Sequence, residues 1–447
     1  MTAYTDKIAH LQAELSTQRG RGAQFGLGKS TSNLFRDRAR RSRPRIDLKH
    51  FDRVVRVDGE AGTVEAEGMA TYADVVAATL SFGAMPRVVP QLKSITLGGA
   101  VAGVGIEATS FKYGLVHDTI AALEILTGDG QIVICTPENE HRDLFYGFAN
   151  SYGTLGYALK VTQRTAPVKP YVAVRHFRYT DPATCFSDLK RFAADNQTDF
   201  LDGVVFAPKE LYLTCGSFVA TAPYTSDYTY ERIYYRSIRE RASDCLSTHD
   251  YLWRWDTDWF WCSKNLGAQH PLLRRLYGRG RLNSITYQKI MRWNSRWGLT
   301  RALSRLRGTG TESVIQDVDI PLERAAEFLD FFHAQVGILP LWICPIREPL
   351  ASARFPLYPL APGTAYINFG FWDVVRERMP RPRGFVNRKI ERKVSDLHGV
   401  KSLYSDSYYA RPEFWSLFDR DAYAALKAKY DPKGALGDLY DKCVLRR

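Results

Sequence analysis

The pattern of apolar and polar positions divides the chain into stretches of different texture. Residues 45–48 and 54–57 read as short strands, and 63–67 alternates as a strand with one wet face does. Residues 72–82 have helical spacing, so strand, strand and helix predict a small α+β unit. A second unit is expected after Pro90. It comprises an apolar strand at 121–126, a hairpin turn at Asp129-Gly130, a strand at 131–136, a helix at 142–148 and a strand at 157–164. The proline-bounded segment 166–170 reads as a boundary. A larger α+β region follows, with strands near 313–320, 339–346 and 364–372 and a helix in the second half of 373–398. A strand at 401–404 and helices around 413–418 and 422–430 close the chain. The expected class is α+β, with domains at 1–170 and 171–400 and a C-terminal segment, 401–447, returning to the first.

At 447 residues the chain is longer than one core usually serves, which agrees with two domains. The N-terminal residues are charged throughout and lack the apolar core of a signal peptide. The longest apolar run, 95–106, is too short and too rich in glycine to span a bilayer. The seven cysteines are scattered, with no CxxC pair and no zinc spacing, so no metal site is expected and a reduced, cytoplasmic setting fits.

Charge changes this picture in one place. Residues 259–311 contain no acid and supply eleven of the thirteen net positive charges. Six of the nine tryptophans (Trp253, Trp255, Trp259, Trp261, Trp293 and Trp297) lie in or beside that stretch. Residues 253–311 therefore have the make-up of a membrane-facing segment, with indoles at headgroup level and cations on anionic phosphates. Leu299, Leu303 and Leu306 keep helical spacing, with Arg301, Arg305 and Arg307 largely off their stripe. Two other readings stay open: a solvated basic face around a buried aromatic cluster, and a nucleic-acid surface, for which no motif is present. An anionic membrane surface is the partner expected for 259–311, with the protein lying peripherally on the inner face of the membrane.

The candidate chemistry lies in the glycines. A dinucleotide needs a backbone that can approach its diphosphate, which glycine permits, and successive amides in a turn form an anion nest. The run Gly26-Leu-Gly28-Lys29-Ser30-Thr31-Ser32-Asn33 has this character, although no GxGxxG links a strand to a helix. Four further segments follow in order. They are Val89-Pro90 with Ile95-Thr-Leu-Gly98-Gly99-Ala-Val-Ala-Gly103-Val-Gly105-Ile106; Ser110-Phe-Lys-Tyr113-Gly114-Leu-Val-His117-Asp118; Leu126-Thr-Gly-Asp129-Gly130; and Tyr152-Gly153-Thr154-Leu-Gly156. Kept in this order, the segments resemble the FAD-binding domain of the vanillyl-alcohol oxidase superfamily, the PCMH-type flavoproteins.

The resemblance implies a two-lobed FAD domain. Residues 26–33 would hold the diphosphate, Pro90, Gly98, Gly99, Gly103, Gly105 and Ile106 would line the flavin, and Ser110, Tyr113, Gly114, Gly153, Thr154 and Gly156 would lie nearby. Many members tether FAD through a histidine where this chain has Lys29, so non-covalent FAD is expected. Glu107-Ala-Thr-Ser-Phe-Lys112, Pro340-Leu-Trp342-Ile-Cys344-Pro345, Leu403-Tyr404-Ser405-Asp406-Ser-Tyr408, Glu413-Phe-Trp415 and Leu439-Tyr440-Asp441-Lys442-Cys443 extend the likeness to sterol delta-24 reductases and their bacterial relatives. Those relatives include 10-methylene fatty acyl reductases. The chain departs from the sterol enzymes in beginning with a charged segment where they carry a membrane anchor.

From this likeness the expected activity is reduction of a carbon–carbon double bond in a lipid by FAD, with NADPH or NADH as electron donor. The preferred substrate is a 10-methylene fatty acyl chain. A sterol side chain, an O₂-using oxidase and a flavin-free lipid-binding scaffold are the alternatives. Related oxidases keep a lysine before the aspartate near the flavin, and Ser405 before Asp406 stands there instead. Double-bond reduction also needs an acid. Tyr404, Tyr408, Tyr409 and Glu107 are the candidates, and His117 reads as structural.

Overall fold

A computed structural model describes residues 3–19, 24–29, 35–36, 44–297, 310–377 and 381–447. In its N-terminal part the long strand Tyr157–Pro167 is central, buried at alternate positions over most of its length. It pairs antiparallel with Thr63–Glu67 on one side and Ile120–Leu126 on the other. Val54–Asp58 and Ile132–Cys135 complete the edges, and Ala84–Pro86 pairs with the end of the long strand. The two units read on either side of Pro90 therefore share one sheet, and Pro90 is no boundary. Val64 and Ala66 are fully buried, and a two-stranded hairpin could not bury them without the partner that Tyr157–Pro167 provides.

A smaller lobe is built from the parallel pair Gly26–Gly28 and Arg45–Asp47 and the helix Tyr4–Arg19. Leu11 and Leu15 of that helix pack with Phe25, Ile46, Leu48, Phe51 and Leu159, which fixes the lobe against the sheet.

The second domain is an eight-stranded antiparallel sheet. Its order is Ser243–Ser247, Tyr171–Tyr179, Glu210–Val219, Phe200–Ala207, Leu341–Ile346, Tyr366–Glu377, Gly310–Pro321 and Val400–Lys401. Its side chains alternate between two cores. Leu341 and Ile343 join the core formed with helices Pro182–Ala193, Ala325–Gln335 and Phe385–Asp396, whereas Trp342 and Cys344 face the core shared with the first domain. Every position of Leu341–Ile346 is buried, as a central strand covered on both faces requires.

The tryptophan-rich segment corrects an expectation. Trp253, Trp255, Trp259 and Trp261 are buried, and they pack between the sheet and the first domain. Their area belongs to the shared core, so these four indoles are not presented at the surface. Arg274 is also internal, paired with Asp258 at 2.7 Å. Leu299, Leu303, Leu306, Arg301, Arg305 and Arg307 lie outside the described residues.

The strand expected at 401–404 is only the two residues Val400–Lys401. Helices Arg411–Leu417, Arg420–Tyr430 and Leu439–Cys443 lead the chain back to the first domain. There the Asp129 amide donates to the Tyr430 carbonyl at 3.1 Å, and Lys442 Nζ donates to the Tyr152 carbonyl at 2.6 Å. No helix among the described residues is long and apolar enough to cross a membrane.

Candidate functional site

A cavity of about 800 Å³ lies where the small lobe, the N-terminal sheet and the second domain meet. Its first wall is the turn and helix after Pro90, in which Leu97–Ala102 is the helix. The Gly98 amide donates to the Gly68 carbonyl at 2.9 Å. A Cβ on Gly98 would come within 2.8 Å of that oxygen and 3.1 Å of the Ala158 Cβ. Only glycine lets this helix sit so close to the sheet, and that closeness puts backbone rather than side chains on the cavity wall. The second wall is the turn from Tyr152 to Ala158, where Gly156 has φ 149°. A side chain there would strike the Ile125 methyl at 2.5 Å.

The third wall comes from the second domain and is aromatic. Trp259, Phe260, Trp342 and Trp372 line it, with Phe260 stacked on Trp372 at 4.2 Å between centroids. Trp259 and Phe260 have φ of 46° and 59°, so two consecutive bulky residues stand in the left-handed region. Such a conformation costs on the order of 1–3 kcal/mol per residue and persists only where packing over-determines it.

Between the aromatic wall and the glycine walls stand Asp317 and Tyr404, both lining the cavity. Trp372 Nε1 donates to the Tyr404 hydroxyl at 2.9 Å. Burial pushes the Asp317 carboxyl up to about 7 against the pull of the neighbouring Tyr404 hydroxyl, and Asp319 pushes it the same way. Tyr404 is held well above the usual phenol range, first by burial and then by Asp317. Asp317 Oδ1 has no hydrogen-bond partner among the described residues. Gly370 faces Asp317 across the sheet, and a Cβ there would come 2.7 Å from Oδ1 and 2.5 Å from the Trp372 ring.

Among the described residues, Lys29, Arg36, Arg45, Lys442, Arg446 and Arg447 line the same cavity, with Asp317 as the lining side-chain carboxylate; Arg446 is itself paired with Asp406 at 3.1 Å. Arg36 is buried, its guanidinium stacked 4.7 Å from the Tyr152 ring. Its Nη1 donates to the Leu403 carbonyl at 2.9 Å and lies 2.6 Å from Cys443 Sγ, whereas Nη2 has no partner among the described residues. An orphaned buried guanidinium nitrogen is costly unless an anion meets it. The walls thus fit a long anionic dinucleotide with a flat ring system: backbone at the close approaches, a buried donor without an acceptor, and a surplus of positive charge.

Of the expected cofactor residues, Gly26, Lys29, Pro90, Gly98, Gly99, Gly103, Gly105, Ile106, Gly153 and Gly156 line the cavity. Ser30, Thr31, Ser32 and Asn33 lie outside the described residues. Gly28 is packed against the Ile46 carbonyl, Ser110 Oγ accepts from the Glu107 amide at 3.1 Å, Tyr113 lies under Arg87, and Thr154 Oγ1 donates to Ser151. None of these, nor Gly114, is on the wall.

Of the four candidate acids only Tyr404 faces the cavity. Tyr408 lies beside Arg446 and Gly384, and Tyr409 packs on Phe414. Glu107 is buried in an ion pair with Arg254. Burial keeps His117 neutral-leaning, its pKa lowered, and its ring stacks edge-on to Phe355 at 4.3 Å. Asp317, Arg36, Trp372 and the C-terminal cations were not anticipated. Asp317 had a signal: Gln316, Asp317 and Asp319 interrupt the apolar residues of 314–320 within the strand Gly310–Pro321.

Residues 3–136 match the family model of the FAD binding domain. Over 412 residues the chain is 27% identical to the Delta(24)-sterol reductase of Homo sapiens, covering 87% of this chain and 75% of that one. It is 27% identical over 449 residues to the Delta(24)-sterol reductase of Pisum sativum, covering 89% and 76%. Cytokinin dehydrogenase 4 of Oryza sativa subsp. japonica is 30% identical over 155 residues, covering 34% of this chain and 29% of that one.

Proposed function

Taking the chain as a PCMH-type FAD-binding protein related to the Delta(24)-sterol reductases, we propose that it reduces a carbon–carbon double bond in a lipid. The observation that carries this reading is the apposition, in one cavity, of glycine walls suited to a flavin, an aromatic wall and a buried phenol–carboxyl pair. A bound, reduced flavin supplies the hydride equivalent that such a reduction needs. The protein must orient the alkene, keep water out and deliver one proton to the other carbon. Trp259, Phe260, Trp342 and Trp372 offer the alkene an apolar bed. Tyr404 is the proton donor: its oxygen is held by Trp372, and its proton is replaced from Asp317, which is protonated below about pH 7.

The substrate is a phospholipid carrying a 10-methylene fatty acyl chain, converted to the 10-methyl form, with NADPH as electron donor. The cations that line the cavity favour an anionic substrate, and a phospholipid headgroup brings such an anion. A sterol side chain is the second reading, favoured by the likeness to Delta(24)-sterol reductases over most of the chain.

The test is to incubate the FAD-loaded protein anaerobically with NADPH and either a methylene-bearing phospholipid or a Δ24-unsaturated sterol. Methyl-branched acyl chains support the first reading and a saturated sterol side chain the second. No product from either, with the flavin fully reduced, overturns the lipid reductase assignment. Rapid reoxidation in air would point to an oxidase instead.

A further inference from the structure

Burying four tryptophans leaves a different surface to explain. Among the described residues, thirteen large hydrophobic side chains are exposed, and six of them fall between 272 and 293: Leu272, Leu273, Leu276, Ile285, Met291 and Trp293. They belong to two helices, Pro271–Tyr277 and Ser284–Trp297, joined by a short basic link. Each helix has one anchored side. Arg274 reaches inward to Asp258, and Tyr287 donates from its hydroxyl to the Thr257 carbonyl at 2.8 Å. With Ser284 and Tyr287 buried, Ile285, Lys289 and Trp293, four residues apart, face outward. Leu276 is 77% exposed and Leu272 is 66% exposed, an extent for which an isolated soluble surface offers no compensation.

The charges around these side chains have one sign. Arg275, Arg279, Arg281 and Lys289 are exposed among them, and residues 259–311 contain no acid. Glu231 and Asp227, from a neighbouring segment, pair with Arg275 and Arg279 at 3.9 and 2.7 Å in solvent-exposed contacts. Such exposed pairs hold weakly and leave the cations available to a surface of higher negative charge.

We propose that helices Pro271–Tyr277 and Ser284–Trp297 form a docking face for an anionic lipid surface. Their leucines, Ile285 and Trp293 enter the acyl boundary while Arg281 and Lys289 meet the phosphates. Charge complementarity and the large apolar side chains select a bilayer over nucleic acid, since aliphatic leucines offer nothing to a phosphate backbone. The inference stands apart from the redox assignment, because binding to lipid is read without turnover.

Flotation of the FAD-loaded protein with vesicles tests it, comparing phosphatidylcholine alone with a mixture containing phosphatidylglycerol. Binding to the anionic vesicles, falling as salt rises, is expected. The triple variant Leu272→Ser, Leu276→Ser, Trp293→Ser and the double variant Arg281→Gln, Lys289→Gln should each weaken it about tenfold or more. Phe82→Ser, which removes an exposed aromatic from the first domain, should leave it unchanged. Absence of vesicle binding at low salt, binding by either variant as strong as the parent's, equal loss in Phe82→Ser, or preference for duplex DNA over the vesicles each overturns the proposal.

Discussion

Arg254 and Glu107 form a fully buried ion pair across the seam between the two domains, with Nη2 2.8 Å from Oε1. Arg254 also pairs with Asp202 at 2.8 Å, and Trp342 Nε1 donates to the same carboxylate at 3.1 Å. One guanidinium thus ties the end of the glycine-rich wall to the strand bearing Asp202 and to an indole of the aromatic wall. Removing it strands two carboxylates out of water. Arg254→Met should destabilise the protein by about 3–5 kcal/mol, the usual range for breaking a buried pair from one side. Glu107→Gln keeps a hydrogen-bonding group there and should cost far less. Denaturant unfolding of the FAD-loaded variants decides it, and equal losses in the two would refute this division of roles.

The same cluster carries a pH signature. Burial pushes Glu107 up to about 7 although Arg254 pulls against it. A carboxyl whose folded value exceeds its unfolded one holds its proton more tightly in the native state. Its contribution to stability is therefore present at low pH and is lost as pH rises from about 4.5 through about 7. The unfolding free energy of Glu107→Gln, subtracted from that of the parent protein, should drift against the parent across that window. A difference that is flat with pH would contradict the shift.

Proton delivery gives a separate test. If Asp317 replenishes Tyr404, turnover should fall as pH rises through about 7, where Asp317 ionises. Tyr404→Phe should lower the rate by about 10²–10⁴, the range general acids contribute. Asp317→Asn should remove the descent near pH 7 while leaving flavin uptake intact. A pH profile for Asp317→Asn that keeps this limb would exclude Asp317 as the proton source.

Legibility differed sharply between backbone and side chains. Glycine at 98, 99, 103, 105, 153 and 156 was legible as cofactor-facing through the ordered segments that resemble the PCMH-type flavoproteins, and these glycines line the cavity, where close backbone approach needs them. The strands were readable from alternation, but their partners were not: nothing local in Thr63–Glu67 says that Tyr157–Pro167 will cover it. The tryptophans misled for a related reason. A Trp beside an Arg looks alike at a headgroup and in a core, and Phe260 stacking on Trp372 is set by tertiary packing between segments far apart in the chain. Tyr404 was one of four equivalent candidates until Trp372 and Asp317 were seen to flank it. Arg36 gave no signal in a segment crowded with arginines.

Arg36 also makes the binding of the cofactor testable apart from its chemistry. The guanidinium is buried, its Nη1 is engaged by Leu403 and Cys443, and its stacking on Tyr152 fixes the plane in which Nη2 points. A phosphate oxygen at Nη2 would form a charge-assisted hydrogen bond, which contributes about 1.5–3 kcal/mol. Arg36→Gln retains a donor for the Leu403 carbonyl but removes the charge, so FAD affinity should fall by roughly 10- to 150-fold. Lys29, unlike a histidine at that position, offers no tether, so acid precipitation of the parent protein should release all the flavin into the supernatant. Equilibrium dialysis of FAD against the two proteins, followed by precipitation, reads both points. Unchanged affinity in Arg36→Gln would move the diphosphate elsewhere on the cationic wall, and flavin retained on the pellet would show that another residue holds it covalently.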